Sequence, residues 1–432
     1  MDIMKLAALQ EDYVIALRRH FHQYPELSGR EEQTLARVKA ELDDMGIPWV
    51  EAPDGGVIGT LAGTRPGKTV LLRADVDALP MQEHPENGAG PRTCMSQVPG
   101  VMHACGHDAH TAMLLGAARV LAGMQAQLAG TIYLTFERGE EGGGNVVPLL
   151  DYMLEHNMKP DTCWGIHVYS DMEAGTMVMN PGGVMAGSVG FSVTVRGRGG
   201  HGSRPDQSVS PIDCFNAIHT ALNSVRMRYV SPFEPLTMSI GMVQAGAKSN
   251  IIPDELTFAG SARCFDREKA GLPFKAAFKR VVEHICAAYE CDYRINRLGG
   301  PTLGVVNDPD CAADAKKAVT AAIGAEHMAD HEPWMGSESF GLYLKAMAPG
   351  VFAFLGVGSD QAGRAAHHNE RFDLDESALK YGVAASVAYA LEMTESDLDL
   401  SGRTWEGDFL ELLDQIGSYD ARRKALREKG AK

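Results

Sequence analysis

The sequence predicts an α/β protein in two parts, a mainly parallel sheet flanked by helices and interrupted by a smaller α+β unit. Three observations carry this. Strand-like runs alternate with helical spacing at both ends of the chain, the pattern of a layered α/β sheet. From about residue 187 to 298 the order becomes strand–helix–strand–strand–helix–strand, the split βαβ order of a self-contained α+β sandwich. The length of 432 residues is more than one core ordinarily organises. A discontinuous first domain over 1–186 and 299–432 is therefore expected, with a second domain inserted at 187–298.

The elements follow in order. Residues 8–24 and 30–45 set Leu, Val and Ala at helical spacing among charges, and Gly46 is placed to stop the second helix. Strand-like runs come next at 57–61 and 69–73, then a helix over 111–121 and a strand at 131–136. In the inserted part, Phe191-Ser-Val-Thr-Val195 alternates as a half-exposed strand and 210–229 reads as a helix. Strands at 236–243 and 255–264, a helix at 273–290 and a strand at 292–297 complete it. Its edge strand would suit pairing with a second copy. After Gly299-Gly300 the α/β pattern returns: a helix over 312–324, an apolar strand at 351–357 and a helix from 376. The charge-rich tail beyond Asp397 reads as a surface helix.

Composition narrows the function classes. A net charge of −16 argues against nucleic acid and against anionic membrane surfaces, both of which need clustered Lys and Arg. The apolar run at 111–121 is too short to span a bilayer, and the first ten residues do not read as a secretory signal. Eight scattered cysteines without Cys-x-x-Cys spacing fit reduced thiols, so a cytoplasmic location is expected.

Four separated motifs supply candidate metal ligands. Arg73-Ala-Asp75-Val-Asp77-Ala-Leu-Pro80 follows an apolar strand, where α/β folds place their sites, and Asp75 and Asp77 would face the same way in extended chain. Standing alone, they could equally be solvated turn carboxylates. His103-Ala-Cys105-Gly-His107-Asp108-Ala-His110 is far denser in donors than chance, and its glycine lets a thiolate and an imidazole turn toward one point. Glu140-Glu141-Gly-Gly-Gly144 sets two carboxylates side by side; on extended chain one could bind metal while the other acts as a base on water. His167 in Gly165-Ile-His-Val168 and the pair His367-His368 before Asn-Glu-Arg-Phe372 are isolated candidates. A lone histidine on an apolar strand is more often a core residue, so only the other motifs promote His167.

Taken with Gly199-Gly-His201-Gly-Ser-Arg-Pro205, Asn250-Ile-Ile-Pro-Asp254 and Gly336-Ser-Glu338, these segments run in the order of a known family. The chain resembles the aminoacylase and hippurate-hydrolase branch of the co-catalytic metallopeptidases, which includes auxin-conjugate and aminobenzoyl-glutamate hydrolases. The resemblance implies a metallopeptidase catalytic domain with an inserted dimerisation or lid domain, and a homodimer or a higher homo-oligomer. It implies metal ligands Cys105, His107, Glu141, His167 and His368, the last preferred over His367 by its spacing to Phe372. Glu140 matches the general base and Asp77 an acidic residue that orients the base or a ligand. His201 matches a residue that stabilises the oxyanion, often in a partner's site, and Asn250 and Arg263 match positions that grip the substrate carbonyl or carboxylate. Two divalent ions are implied, zinc or manganese foremost and cobalt as a further option. The implied reaction is hydrolysis of the amide bond of an N-acyl amino acid or similar small conjugate. A dipeptidase or exopeptidase with the same site, and a non-catalytic metal-binding protein, stand as alternatives.

The chain departs from the family's pattern twice. Glu137-Arg138-Gly139 stands where a Gln-Pro-Ala-like stretch is usual, and Ser339 stands where an Asp is usual. Neither departure is expected to touch a proposed ligand, and the expected consequence is a reshaped pocket and a shifted substrate choice.

Overall fold

The computed structural model describes residues 2–142, 144–417 and 419–430; Gly143 of the Glu-Glu-Gly-Gly-Gly run lies outside the described residues. The chain forms two compact units, one of Met1–Gly182, Val306–Glu332 and Ser339–Phe409, the other of Gly183–Val305, Pro333–Glu338 and Leu410–Lys432.

The first unit is built on a seven-stranded sheet. In spatial order its strands are Trp49–Ala52, Gly56–Ala62, Ala129–Glu137, Arg65–Asp75, Thr162–Glu173, Gly350–Gly358 and Met177–Val178. The four central strands are parallel and the outer pairings antiparallel. Central strands are apolar on both faces, as Val70, Leu71 and Leu72 or Val351–Leu355 show, because helices cover both sides. The register sets Asp75 opposite Glu137 and Arg73 opposite Gly165, so carboxylates from neighbouring strands end side by side.

Helix His107–Gly123 begins four residues before the start expected from its apolar run. The expectation failed because the first turn is polar yet buried: His107, Asp108 and His110 are all fully enclosed. Gly106 precedes it at φ +93°, and a Cβ there would meet Val168 Cγ2 at 2.3 Å, so both conformation and space require glycine. The helix expected over 8–24 is Glu11–Gln23, and a separate short helix, Ile3–Ala8, precedes it.

The second unit carries a four-stranded antiparallel sheet in the order Leu236–Ala245, Glu255–Cys264, Gly187–Arg196, Asp292–Leu298. Helices Pro211–Tyr229 and Leu272–Ala288 pack with it around Phe191, Phe258, Phe274 and Phe278. Edge strand Leu236–Ala245 leaves Met242 and Val243 exposed. The tail departs from a single surface helix. It forms Phe409–Ile416 and Asp420–Gly430, and the first buries Phe409, Leu412, Leu413 and Ile416 along one stripe. Among the described residues no helix is long and apolar enough to cross a membrane.

A buried charge cluster locks the first helical turn into the unit. Arg18 Nε lies 3.0 Å from Asp108, and its Nη atoms lie 3.3 Å from Asp373 and from Glu376. His22 bridges Asp108 and Glu83 at 2.8 Å each, and Arg92 reaches Glu83 and Asp373. Burial works to raise Asp108, Glu83 and Asp373, but the facing Arg18 and His22 hold all three below the usual carboxylate range. Such groups bind fewer protons folded than unfolded. Their stabilisation is complete above the unfolded values, about 3.9 for Asp and 4.3 for Glu, and is lost as pH falls through the folded ones. Arg18→Met should cost about 3–5 kcal/mol by leaving buried carboxylates unpaired. Urea titration at neutral pH measures that cost, and the wild-type midpoint should fall steeply only below roughly pH 4.

Candidate metal centre

The strand Arg65–Asp75 delivers Asp75 at its end and Asp77 two residues on, both fully buried. Asp77 Oδ1 lies 3.0 Å from Nδ1 of His107, while its Oδ2 accepts from Ser28 Oγ at 2.5 Å and from the Glu141 amide at 3.0 Å. A carboxylate on Nδ1 fixes the ring and turns Nε2 inward, the usual arrangement of a metal-binding histidine. That Nε2 is buried without a hydrogen-bond partner among the described residues, 3.6 Å from Asp75 and 4.0 Å from Glu141. Burial opposes protonation of His107, yet Asp75, Cys105 and the bond with Asp77 hold its pKa well above the ordinary range. Surroundings that favour a proton there favour a cation equally.

Asp75 has a different task. It binds Nδ1 of His110 at 2.6 Å, and Nε2 of His110 accepts the Val168 amide at 2.9 Å. With both nitrogens engaged, His110 braces the helix against the strand.

Among the described residues four groups of donors have ligand atoms within 4.8 Å of one another: Cys105, His107 and His167; Cys105, Glu141 and His368; His107, Glu140 and Glu141; and Asp75, His107 and His110. Cys105 is common to the first two. His167 donates from Nδ1 to the Val168 carbonyl at 2.6 Å, which directs its Nε2 to within 3.5 Å of Cys105 Sγ. Burial, then the neighbouring His110 and His367, push the His167 pKa well below the usual value, so its ring is neutral as ligation requires. Burial and Glu141 raise Cys105 well above the ordinary thiol, so a thiolate there calls for a cation beside it. His368 sits at φ +60°, its amide bound to Ala104 O at 2.8 Å, with Nε2 3.0 Å from Glu141 Oε1. His367 instead packs between Tyr169 and Phe372, and burial drives it down to about 3.

The paired glutamates lie in a turn, not on extended chain. Their divergence comes from separate anchors. The amide of Glu141 is held by Asp77, and Glu140 Oε1 accepts the Ser339 amide at 3.0 Å. Asp77, Cys105, His107, Glu140, Glu141, His167 and His368 therefore belong to the first unit, and contacts link them there. His201, Asn250 and Arg263 belong to the second unit. The amide of Gly202, next to His201, bonds to Asn250 O at 2.9 Å, and Arg263 donates to Ser337 Oγ at 2.6 Å. Sequence reasoning missed the brace formed by Asp75 and His110; the i, i+2 spacing of Asp75 and Asp77 was its available signal. It also missed that Ser339 reaches Glu140.

The orphaned Nε2 of His107, the two donor groups sharing Cys105 and the carboxylate beside them fit a pair of divalent cations. Fold and site together define a metal-dependent hydrolase. The model of peptidase family M20/M25/M40 matches residues 71–392, and the chain belongs to that family. It is 35% identical to thermostable carboxypeptidase 1 of Saccharolobus solfataricus, over 89% of this chain and 96% of that one. It is 34% identical to the N-acetyl-L-cysteine deacetylase of Bacillus subtilis, over 85% of each. A dinuclear metal binding peptidase of the M20 family from Bacillus subtilis superposes with a TM-score of 0.74 at 29% identity, covering 90% of this chain and 99% of the other.

The Asp77–His107 bond can be tested directly. Asp77→Asn keeps the shape but removes the charge that fixes the imidazole, and should weaken metal binding about 10–100-fold in chelator competition.

Proposed function

We propose that the protein hydrolyses the amide bond of N-acyl amino acids or closely related small conjugates. The observation that carries this is the pair of donor groups meeting at Cys105 with Glu140 alongside. Cys105, His107, Glu141, His167 and His368 are the ligands in this reading, with Cys105 assigned as the shared one. A thiolate with imidazoles and carboxylate suits zinc, and also accepts manganese or cobalt. Bound there, the cations supply Lewis acidity toward water and the amide carbonyl. Glu140, anchored by the Ser339 amide, takes the proton from the attacking water and passes it to the leaving amine. Asp77 keeps His107 in its ligating orientation. His201 is assigned to the developing oxyanion, and Asn250 and Arg263 to the substrate's carbonyl and carboxylate. The acyl-amino-acid preference is supported by the relative named as an N-acetyl-L-cysteine deacetylase.

The first unit is the catalytic domain in this reading and residues 187–298 a dimerisation or lid domain. The exposed edge strand Leu236–Ala245 supports a homodimer formed through the second unit. Eight buried cysteines, none in a disulfide, support a reducing cytoplasmic setting. An exopeptidase reading is favoured by the relative named as a carboxypeptidase. Parallel assay of N-acetyl amino acids and unblocked dipeptides with metal-reconstituted protein separates the two. In the same assay Glu140→Gln should lose about 10²–10⁴-fold in kcat while keeping its metal. Near-normal turnover would remove Glu140 from the role of base.

A further inference from the structure

The two departures from the family's pattern, the stretch Glu137-Arg138-Gly139 and Ser339, meet through Glu137. Ser339 Oγ donates to Glu137 Oε1 at 2.7 Å and accepts from Nη2 of Arg73 at 2.8 Å. Nε of Arg73 donates to Glu137 Oε2 and its Nη1 to Asp75 Oδ2, each at 2.8 Å. Arg73, Asp75 and Glu137 are all buried, and the guanidinium lies over the Tyr343 ring, 6.0 Å from its centre. Guanidinium, carboxylate and hydroxyl close a ring in which the hydroxyl must both give and receive a hydrogen bond. A carboxylate at 339 could only accept, and would face Glu137 as a like charge.

The ring ends on the catalytic turn. The same residue whose hydroxyl closes it gives its backbone N–H to Glu140 Oε1 at 3.0 Å. The chain between Glu137 and Glu140 is fixed from the other side by Glu31, which accepts from the Gly139 amide and from Arg138 Nε at 2.8 Å each. Both the turn and the donor that meets it are thus tied to one buried guanidinium. Arg73 also grips Asp75, which braces His110.

We propose that Glu137, Arg73 and Ser339 are positioning residues that hold Glu140 in place, with Glu137 supplying Arg73 the carboxylate that a residue at 339 would otherwise supply. This rests on the reading of Glu140 as the base. Misplacing a catalytic group by about 1 Å can cost about 100-fold in rate.

The test uses the full chain reconstituted with metal, reading kcat, KM and bound metal on an N-acetyl amino acid. Ser339→Asp should lower kcat about 10–100-fold, with metal content unchanged and KM within about twofold. Glu137→Gln should also lower kcat. The double variant, Glu137→Gln with Ser339→Asp, moves the carboxylate to the other side of Arg73 and should recover at least about tenfold over Ser339→Asp alone. Full kcat in both single variants, or a double variant no better than the worse single, overturns the proposal. Should Ser339→Asp not fold, Ser339→Thr, which keeps the hydroxyl, is compared with Ser339→Ala. Threonine should exceed alanine in kcat by about fivefold or more, and equal rates overturn the proposal. Glu140→Gln runs alongside. If it is active, the base reading fails; if it is inactive while the other variants match wild type, only the positioning role fails.

Discussion

Ionised carboxylates cannot stay buried unless something positive faces them, and the first unit buries several around one helical turn. Asp75 and Asp77 emerge together at the carboxyl end of the strand Arg65–Asp75 and meet His110 and His107. Asp75 also meets Arg73, and Asp108, on the far side of the turn, meets Arg18 and His22. The positions of helix, strand end and glutamate turn are consequences of satisfying these charges. Asp77 alone holds three groups: the ring of His107, the hydroxyl of Ser28 and the amide of Glu141.

Charge that is almost but not fully compensated is also what makes the place a candidate metal site. His110 is saturated by Asp75 and the Val168 amide. His107, one turn earlier, is held on one nitrogen and left with an orphaned, buried Nε2 on the other. Two imidazoles three residues apart on the same helix thus differ in what occupies their second nitrogen, and His107 is left as the candidate ligand. The same distinction separates His368, beside Glu141, from the neighbouring His367, packed against aromatic rings.

Much of this was legible in the sequence. Strand and helix alternation gave the α/β sheet, and the split βαβ order gave the four-stranded second sheet, because apolar periodicity reports burial of one face. Donor density gave the segments whose Cys, His and carboxylate groups cluster in the first unit. Three things were not legible, each for a physical reason. The start of the helix at His107 was hidden because its first turn is polar yet buried, which apolar patterning cannot register. The buried stripe of Phe409–Ile416 was masked by the charged residues around it. The contact between Glu137 and Ser339 joins residues some 200 positions apart, and only the sheet register and the chain's return to it bring them together.

Successive residues on a helix point about 100° apart, and the first turn of His107–Gly123 uses that divergence. His107 faces Asp75 and Asp77, while Asp108 faces Arg18 and His22, so neighbouring side chains pull the turn toward two different charge clusters. The rest of the helix is almost wholly apolar and buried, with Arg119 its main exposed charge, and apolar packing alone tolerates small slides and rotations. Directional bonds on both sides of the first turn do not. A rotation that improved one cluster would break the other, and Gly106 cannot accept a side chain without striking Val168. The orientation of His107 is therefore set by both clusters together. Asp108 in the first turn also complements the positive end of the helix dipole, so the anchor and the local electrostatics agree.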